Sequence, residues 1–309
     1  MDAVTTPPAP INEPNLTYAP GTPEREALLG ELAALEGTQT DLSTHIGGER
    51  REGGGAEVPV VQPHDHAHVL GVLRHSTQQD AQDAVPAAAD AAPAWRAMSV
   101  DDRCAVILKA ADLLAGPWRQ RINAATMLGQ GKTAFQAEID SACELIDFWR
   151  FNVHYARQIL EEQPPANSPG VWNRTDHRPL EGFVYAITPF NFTAIALNLP
   201  TAPALMGNVV LWKPSPTQQL AAHVGMRILE AAGETFAAHG YQATTIAAIA
   251  RAAQVSTESV KSAGSKSELL VRAFEVTFAG TEGVDSLTDS DAAAGVLDLP
   301  DDALVAAVV

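Results

Sequence analysis

Two short apolar runs flank one apolar helix pattern between residues 183 and 212, and only brief links join the three. Residues 183–188 read as the first strand and residues 208–212 as the second. Residues 194–206 between them read as a helix that stops at Gly207, the residue type that closes helices in the left-handed conformation. A strand, a helix and a strand so linked fold as a parallel pair with a crossover. Ligands of such sheets bind beyond the carboxyl ends of the strands. Asn191 and Lys213 both stand there. The stretch therefore predicts an α/β fold.

The chain before it reads as mainly helical. Residues 24–36 place Leu28, Leu29, Leu32 and Leu35 at helical spacing. Residues 80–95 are Ala-rich, residues 101–114 repeat the pattern with Val106, Ile107, Ala110, Leu113 and Leu114, and residues 136–159 predict another long helix. Residues 1–23 are Pro-rich and read as an extended arm. Gly47, Gly48 and the three glycines from Gly53 suit a hairpin or loop. Residues 166–179 are polar, broken by proline, and predict an excursion from the main body.

Several function classes are disfavoured. A formal net charge of -17 argues against broad nucleic-acid or anionic-membrane binding. Cys104 and Cys143 have no metal-ligand spacing and read as reduced, buried thiols. His64, Asp65, His66 and His68 cluster on an expected turn without partner ligands, so no metal site is expected. The run Gly131-Lys132-Thr133 imitates the end of a phosphate loop, but Thr126 stands where its first glycine belongs and no strand precedes it. No secretory leader pattern and no run of about 20 apolar residues is visible, so a cytoplasmic chain without a membrane span is expected.

The string Ile187-Thr188-Pro189-Phe190-Asn191-Phe192, the run from Asn198 to Leu205, and Trp212-Lys213-Pro214-Ser215 resemble the aldehyde dehydrogenase superfamily. Gly129 to Thr133, Glu138 to Asp140, Asp147 to Asn152 and Arg178 to Phe183 resemble its pyrroline-5-carboxylate dehydrogenase branch. The resemblance covers about residues 1–233. It implies NAD as cofactor, a small aldehyde as substrate, and oxidation of L-glutamate γ-semialdehyde to glutamate in proline catabolism. It also implies a homo-oligomer with an oligomerisation hairpin near residues 165–183. By resemblance, Asn191 supplies the oxyanion-hole amide, Lys213 hydrogen-bonds the adenosine ribose with Ser215 beside it, and Ile187, Thr188, Pro189 and Phe190 line the cofactor cleft. Leu197 stands where the branch usually has glycine, and is expected to press on helix–strand packing. The branch also needs a nucleophilic cysteine, a general-base glutamate and a glycine-rich turn, all expected after residue 233. Neither cysteine present matches that nucleophile. The resemblance thus implies a partial site that is inactive alone.

Residues 226–280 change character. Ile228, Leu229, Ala232 and Phe236 share one helical face, and Thr244 or Thr245 can cap a helix over residues 246–253. The runs from Phe236 to Tyr241, Thr244 to Ile246, Val255 to Thr257 and Gly264 to Lys266 resemble the TetR family helix-turn-helix. That resemblance implies DNA contacts by Thr245, Thr257, Ser259, Lys261 and Lys266. Arg251, Lys261, Lys266 and Arg272 are balanced by Glu234, Glu258, Glu268 and Glu275. Phosphate attraction dominates DNA affinity, so binding is expected to be weak or absent. Residues 281–309 are acidic, lack Lys and Arg, and read as a disordered or loosely helical tail. The expected chain is a composite. An incomplete Rossmann-like parallel sheet with a helical N-terminal region meets a small all-α segment in an amphipathic helix near residues 226–233. Two further readings stand beside the dehydrogenase: a DNA-binding regulator fragment, and a non-functional fusion or assembly product.

Overall fold

The structure, a computed structural model, describes residues 9–240, with side chains described through Thr235. The expected DNA contacts Thr245, Thr257, Ser259, Lys261 and Lys266 and the acidic tail lie outside the described residues.

The N-terminal arm is extended, as its prolines require, but it is pinned rather than loose. Arg119 donates to Glu138 at 2.5 Å and to Glu13 at 2.6 Å, and Arg150 donates to the other Glu13 oxygen at 2.6 Å. The Leu16 amide and the Tyr18 hydroxyl each donate to Glu138 at 2.7 Å, and Asn123 donates at 2.8 Å. Glu138 is fully buried. Burial pushes its carboxyl up, but Arg119, the Leu16 amide and Tyr18 outweigh that and hold it below the usual range. A buried ion pair stripped of one partner costs about 3–5 kcal/mol, so the arm and the helical body depend on each other.

Helix α1 spans Pro23–Glu36. Strands β2 (Thr44–Ile46) and β3 (Glu49–Arg51) form the expected hairpin, with Gly47 and Gly48 at φ of 60° and 74°. Strand β5 (Asp65–Arg74) pairs antiparallel with β4 (Glu57–Gln62) and parallel with β1 (Thr40–Asp41). His66 and His68 thus belong to a strand rather than a turn, and the His68 ring donates to the Glu36 carbonyl at 3.1 Å. Helices α2 (Gln78–Ala97), α3 (Val100–Ala115) and α4 (Arg119–Gln130) follow. The long helix expected over residues 136–159 is three pieces: α5 (Ala134–Ala137), a π-helical turn (Glu138–Glu144) and α6 (Leu145–Glu161). Glu138 and Asp140, two positions apart on this turn, face opposite sides and reach different partners.

The excursion between α6 and the next strand has no regular strand of its own, so the expected hairpin is irregular. Pro164, Pro165, Pro169 and Pro179 remove ladder donors. Side chains close it instead: Gln163 accepts from the Thr175 amide at 2.9 Å, and Asn167 accepts from the Asn173 amide at 2.6 Å.

Strand β6 (Phe183–Ile187), helix α7 (Thr193–Leu205) and strand β7 (Val209–Lys213) form the crossover unit, and β6 and β7 are parallel. Gly207 adopts φ 88° after α7, as its position requires. The outer faces of this unit remain uncovered: Phe183, Tyr185 and Ile187 of β6 and Ile195 and Leu199 of α7 are exposed. Helix α8 (Gln219–Gly240) runs unbroken through residues 226–233. Its Ile228 and Ala232 are fully buried in one core cluster with Leu114, Ile122 and Trp149. The face read as the start of a helix-turn-helix thus packs on the first part of the chain. Among the described residues no helix is long and apolar enough to cross a membrane.

Leu197 resolves differently from its sequence reading. It is fully buried in the same core, and its neighbour is another helix rather than a strand. A Cβ placed on Gly225 of α8 would come within 2.4 Å of a Leu197 methyl carbon. The leucine fills the space that the glycine leaves. Gly225→Ala is expected to destabilise the fold by about 1–3 kcal/mol through overpacking. Leu197→Ala is expected to cost about 2–5 kcal/mol through the cavity it leaves. The double variant should be more stable than the sum of the two losses, and urea titrations of the four proteins check this; strict additivity would refute the contact.

His223 of α8 gives a pH test. Burial first, then His45, Arg50 and Arg227, depress its pKa to about 4, while Glu230 opposes them. The folded state therefore disfavours protonation of this ring. Its contribution to stability is complete above about pH 6.5, the unfolded value, and is lost as pH falls toward 4. His223→Gln should show a smaller loss of urea midpoint between pH 7 and pH 5 than the parent chain.

Candidate active site

Parallel pairing sets Ile187 opposite Lys213, so the strands end side by side. The Thr188 amide donates to the Lys213 carbonyl at 3.2 Å, and the Trp212 ring N–H donates to the Thr188 hydroxyl at 3.0 Å. These bonds bury Thr188 and close the floor between the two ends. Around them stand the other residues singled out in the sequence. Ile187 and Phe190 are 60% and 63% exposed, Pro189 is half-buried, and Lys213 is exposed. The Ser215 hydroxyl lies 3.2 Å from that of Thr217. Among the described residues Lys213 has no ion-pair partner. The structure thus sets Ile187 and Thr188 beside Lys213, with Pro189 and Phe190 in the loop after β6 and Ser215 in the loop after β7.

Asn191 is also exposed, and its side-chain amide makes no hydrogen bond among the described residues. Its backbone carbonyl accepts from the Lys132 ammonium at 2.6 Å. The same ammonium pairs with Asp140 at 2.6 Å and lies 4.7 Å from the Phe192 ring centroid. Asp140 accepts from the first amides of α7, Thr193 at 3.0 Å and Ala194 at 3.3 Å. The Thr193 hydroxyl is held by Thr126 at 2.9 Å and Gln130 at 2.7 Å, both on α4. Glu144 ends the π-helical turn nearby. Burial raises its carboxyl pKa, Asp140 and Asp147 add to the rise, and Lys132 opposes it.

Gly131-Lys132-Thr133, which lacks the spacing of a phosphate loop, has another place in the fold. Gly131 ends α4 in the left-handed conformation at φ 65°, and Thr133 opens α5 with a capping box completed by Gln136. Lys132, between that stop and that start, joins the site with Asp140. Neither was a candidate. The available signal was Phe192, an apolar residue at the cap of α7, which leaves that helix needing an acceptor from elsewhere.

Both cysteines are buried. Burial raises the Cys104 thiol, and burial together with the Glu138 charge pushes Cys143 up to about 12. A thiolate is the nucleophile, so neither is prepared for attack. Both should resist a thiol reagent in the folded chain at pH 8 and react in urea; rapid labelling of one before unfolding would contradict this assignment.

The sequence profile of the aldehyde dehydrogenase family matches residues 50–263. Delta-1-pyrroline-5-carboxylate dehydrogenase of Agaricus bisporus is 48% identical over 227 residues, covering 72% of this chain and 41% of that protein. The mitochondrial human enzyme of that name is 48% identical over 222 residues, covering 72% and 39%. The Mycobacterium tuberculosis Delta-pyrroline-5-carboxylate dehydrogenase bound with NAD superposes with a TM-score of 0.74 at 63% identity, covering 75% of this chain and 43% of that one. The chain spans about two fifths of the length of these relatives. A parallel pair with Lys213 at its carboxyl end and Asn191 in the loop past it, inside a match that covers most of the sequence, identifies this chain as a member of the aldehyde dehydrogenase family.

Proposed function

We propose that this chain carries the adenosine side of an NAD site and the oxyanion donor of an enzyme that oxidises L-glutamate γ-semialdehyde to glutamate. The supporting observation is the placement of Lys213 at the carboxyl end of the parallel pair and of Asn191 in the loop just past it, two side-chain donors without a partner among the described residues. The relatives named above carry that enzyme's name, and one is bound with NAD. The residues fit the adenosine end of NAD. An exposed ammonium at the end of β7 can donate to ribose hydroxyls, and Ile187 and Pro189 offer an apolar wall. NAD, when bound, supplies the hydride acceptor. Asn191 donates to the oxygen that gains charge when a nucleophile attacks the aldehyde, a stabilisation of about 3–4 kcal/mol in a preorganised site.

The chain by itself does not complete the reaction on this reading. The covalent step needs a thiolate beside Asn191. Cys104 and Cys143 are buried in the helical core with raised thiols. With neither thiol activated, residues 1–309 are expected to bind cofactor weakly and to show no turnover. Calorimetric titration with NAD is expected to show binding that weakens by about tenfold in Lys213→Ala, the loss of one hydrogen bond from a charged donor. Asn191→Ala should leave that affinity unchanged. Absence of NAD binding at millimolar concentration would overturn the cofactor reading. NADH formation from the semialdehyde above background would overturn the inactivity.

A further inference from the structure

The turn that carries Asn191 is held from outside itself. Its cap residue, Phe192, has no side-chain acceptor for the opening amides of α7. A helix so capped leaves N–H groups without partners. Asp140 receives two of them from 53 and 54 positions away in the sequence. A carboxylate at a helix N-terminus is favoured by the helix dipole as well as by those bonds. Asp140 is nearly buried, at 6% side-chain exposure, and its charge needs a partner, which Lys132 supplies. The Lys132 ammonium then does a second thing that neutralisation does not require. It donates to the carbonyl of Asn191 and covers the ring of Phe192.

Three consecutive residues are therefore gripped by one ion pair: Asn191 through its carbonyl, Phe192 through its ring, and Thr193 through its amide. Amid these contacts the Asn191 side-chain amide stays unpartnered among the described residues. A free donor on a fixed backbone is the arrangement that a preset oxyanion site needs. A donor bonded elsewhere would first have to be released, and one on a loose turn would have to be ordered during the reaction.

We propose that Lys132 and Asp140 are positioning residues for the Asn191 side-chain amide, holding it beyond the ends of β6 and β7 before any aldehyde arrives. The assignment to catalysis rests on the reading of Asn191 as the oxyanion donor. The clamp itself does not need that reading, and its test uses neither NAD nor turnover. Failure of NAD binding and failure of the clamp are therefore separate results.

The test is made on the full chain. The side-chain amide NMR signal of Asn191, assigned by its disappearance in Asn191→Ala, reports the orientation of the donor. Hydrogen exchange at Thr193 and Ala194 reports the grip on the turn. The parent should give one sharp pair of amide signals. In Lys132→Met that pair should broaden or split, and exchange at Thr193 and Ala194 should rise by about tenfold, as expected for a local opening. Exchange in β6, β7 and around Glu138 should stay at the parent rate. Lys132→Arg, which keeps the charge and the donors, should restore the signal. Asp140→Asn should behave like Lys132→Met. Should Lys132→Met fail to fold, Lys132→Gln takes its place and is read in the same way. An unchanged Asn191 signal in the folded Lys132 variant would overturn the proposal. So would a uniform rise in exchange across the chain, which marks general stabilisation rather than positioning.

Discussion

Glu138 and Asp140 lie two residues apart, both are buried, and each must find a cation. That requirement organises much of the described fold. Glu138 draws Arg119, the N-terminal arm and the start of α4 to one point. Asp140 draws Lys132 and the first turn of α7 to another. Both stand on the π-helical turn, two positions apart and so on opposite sides, and each carboxylate meets its own set of donors. Unpaired, either charge would cost several kcal/mol, comparable with a large part of a domain's net stability. The helical body and the crossover unit are thus joined through polar bonds as well as through the shared apolar core.

What was legible in the sequence follows from the range of the interactions. The crossover unit was visible because its signals are local: two apolar runs, one helix pattern and a glycine stop. The structure moves its edges by one residue, to Ile187 and Lys213. Lys213 stands where parallel pairing puts it, opposite Ile187, and Asn191 follows in the loop after β6. Lys132 and Asp140 were not found, because their meaning comes from α7, more than fifty positions away. The same limit applied to Leu197. Its neighbour Gly225 lies on another helix, so the sequence showed a bulky residue and not the space reserved for it. The break into π-helical geometry left no periodic trace, since one widened turn barely disturbs the apolar spacing of residues 136–159.

Helix α8 shows how an apolar face can be read twice. Ile228 and Ala232 fit a helix-turn-helix pattern by spacing, and they fit the core against Leu114 and Ile122 by contact. Spacing tells which residues share a face but not what that face meets. In the described structure the face is already committed, and the family match continues past it to residue 263.

The strength of the Asn191 donor depends on what surrounds it as well as on how it is held. An oxyanion donor is worth most where water is excluded, because the low dielectric strengthens each bond to the developing charge. Ile187 and Phe190 on the same rim are mostly exposed, and Phe192, Ile195 and Leu199 are partly so. On the proposed reading of Asn191, water competes for an amide so exposed, and preset geometry removes the cost of ordering the turn without removing that of stripping solvent. Positioning and desolvation are thus separable here. On the proposed reading, the ion pair of Lys132 and Asp140 provides the first, and the apolar rim, once covered, would provide the second.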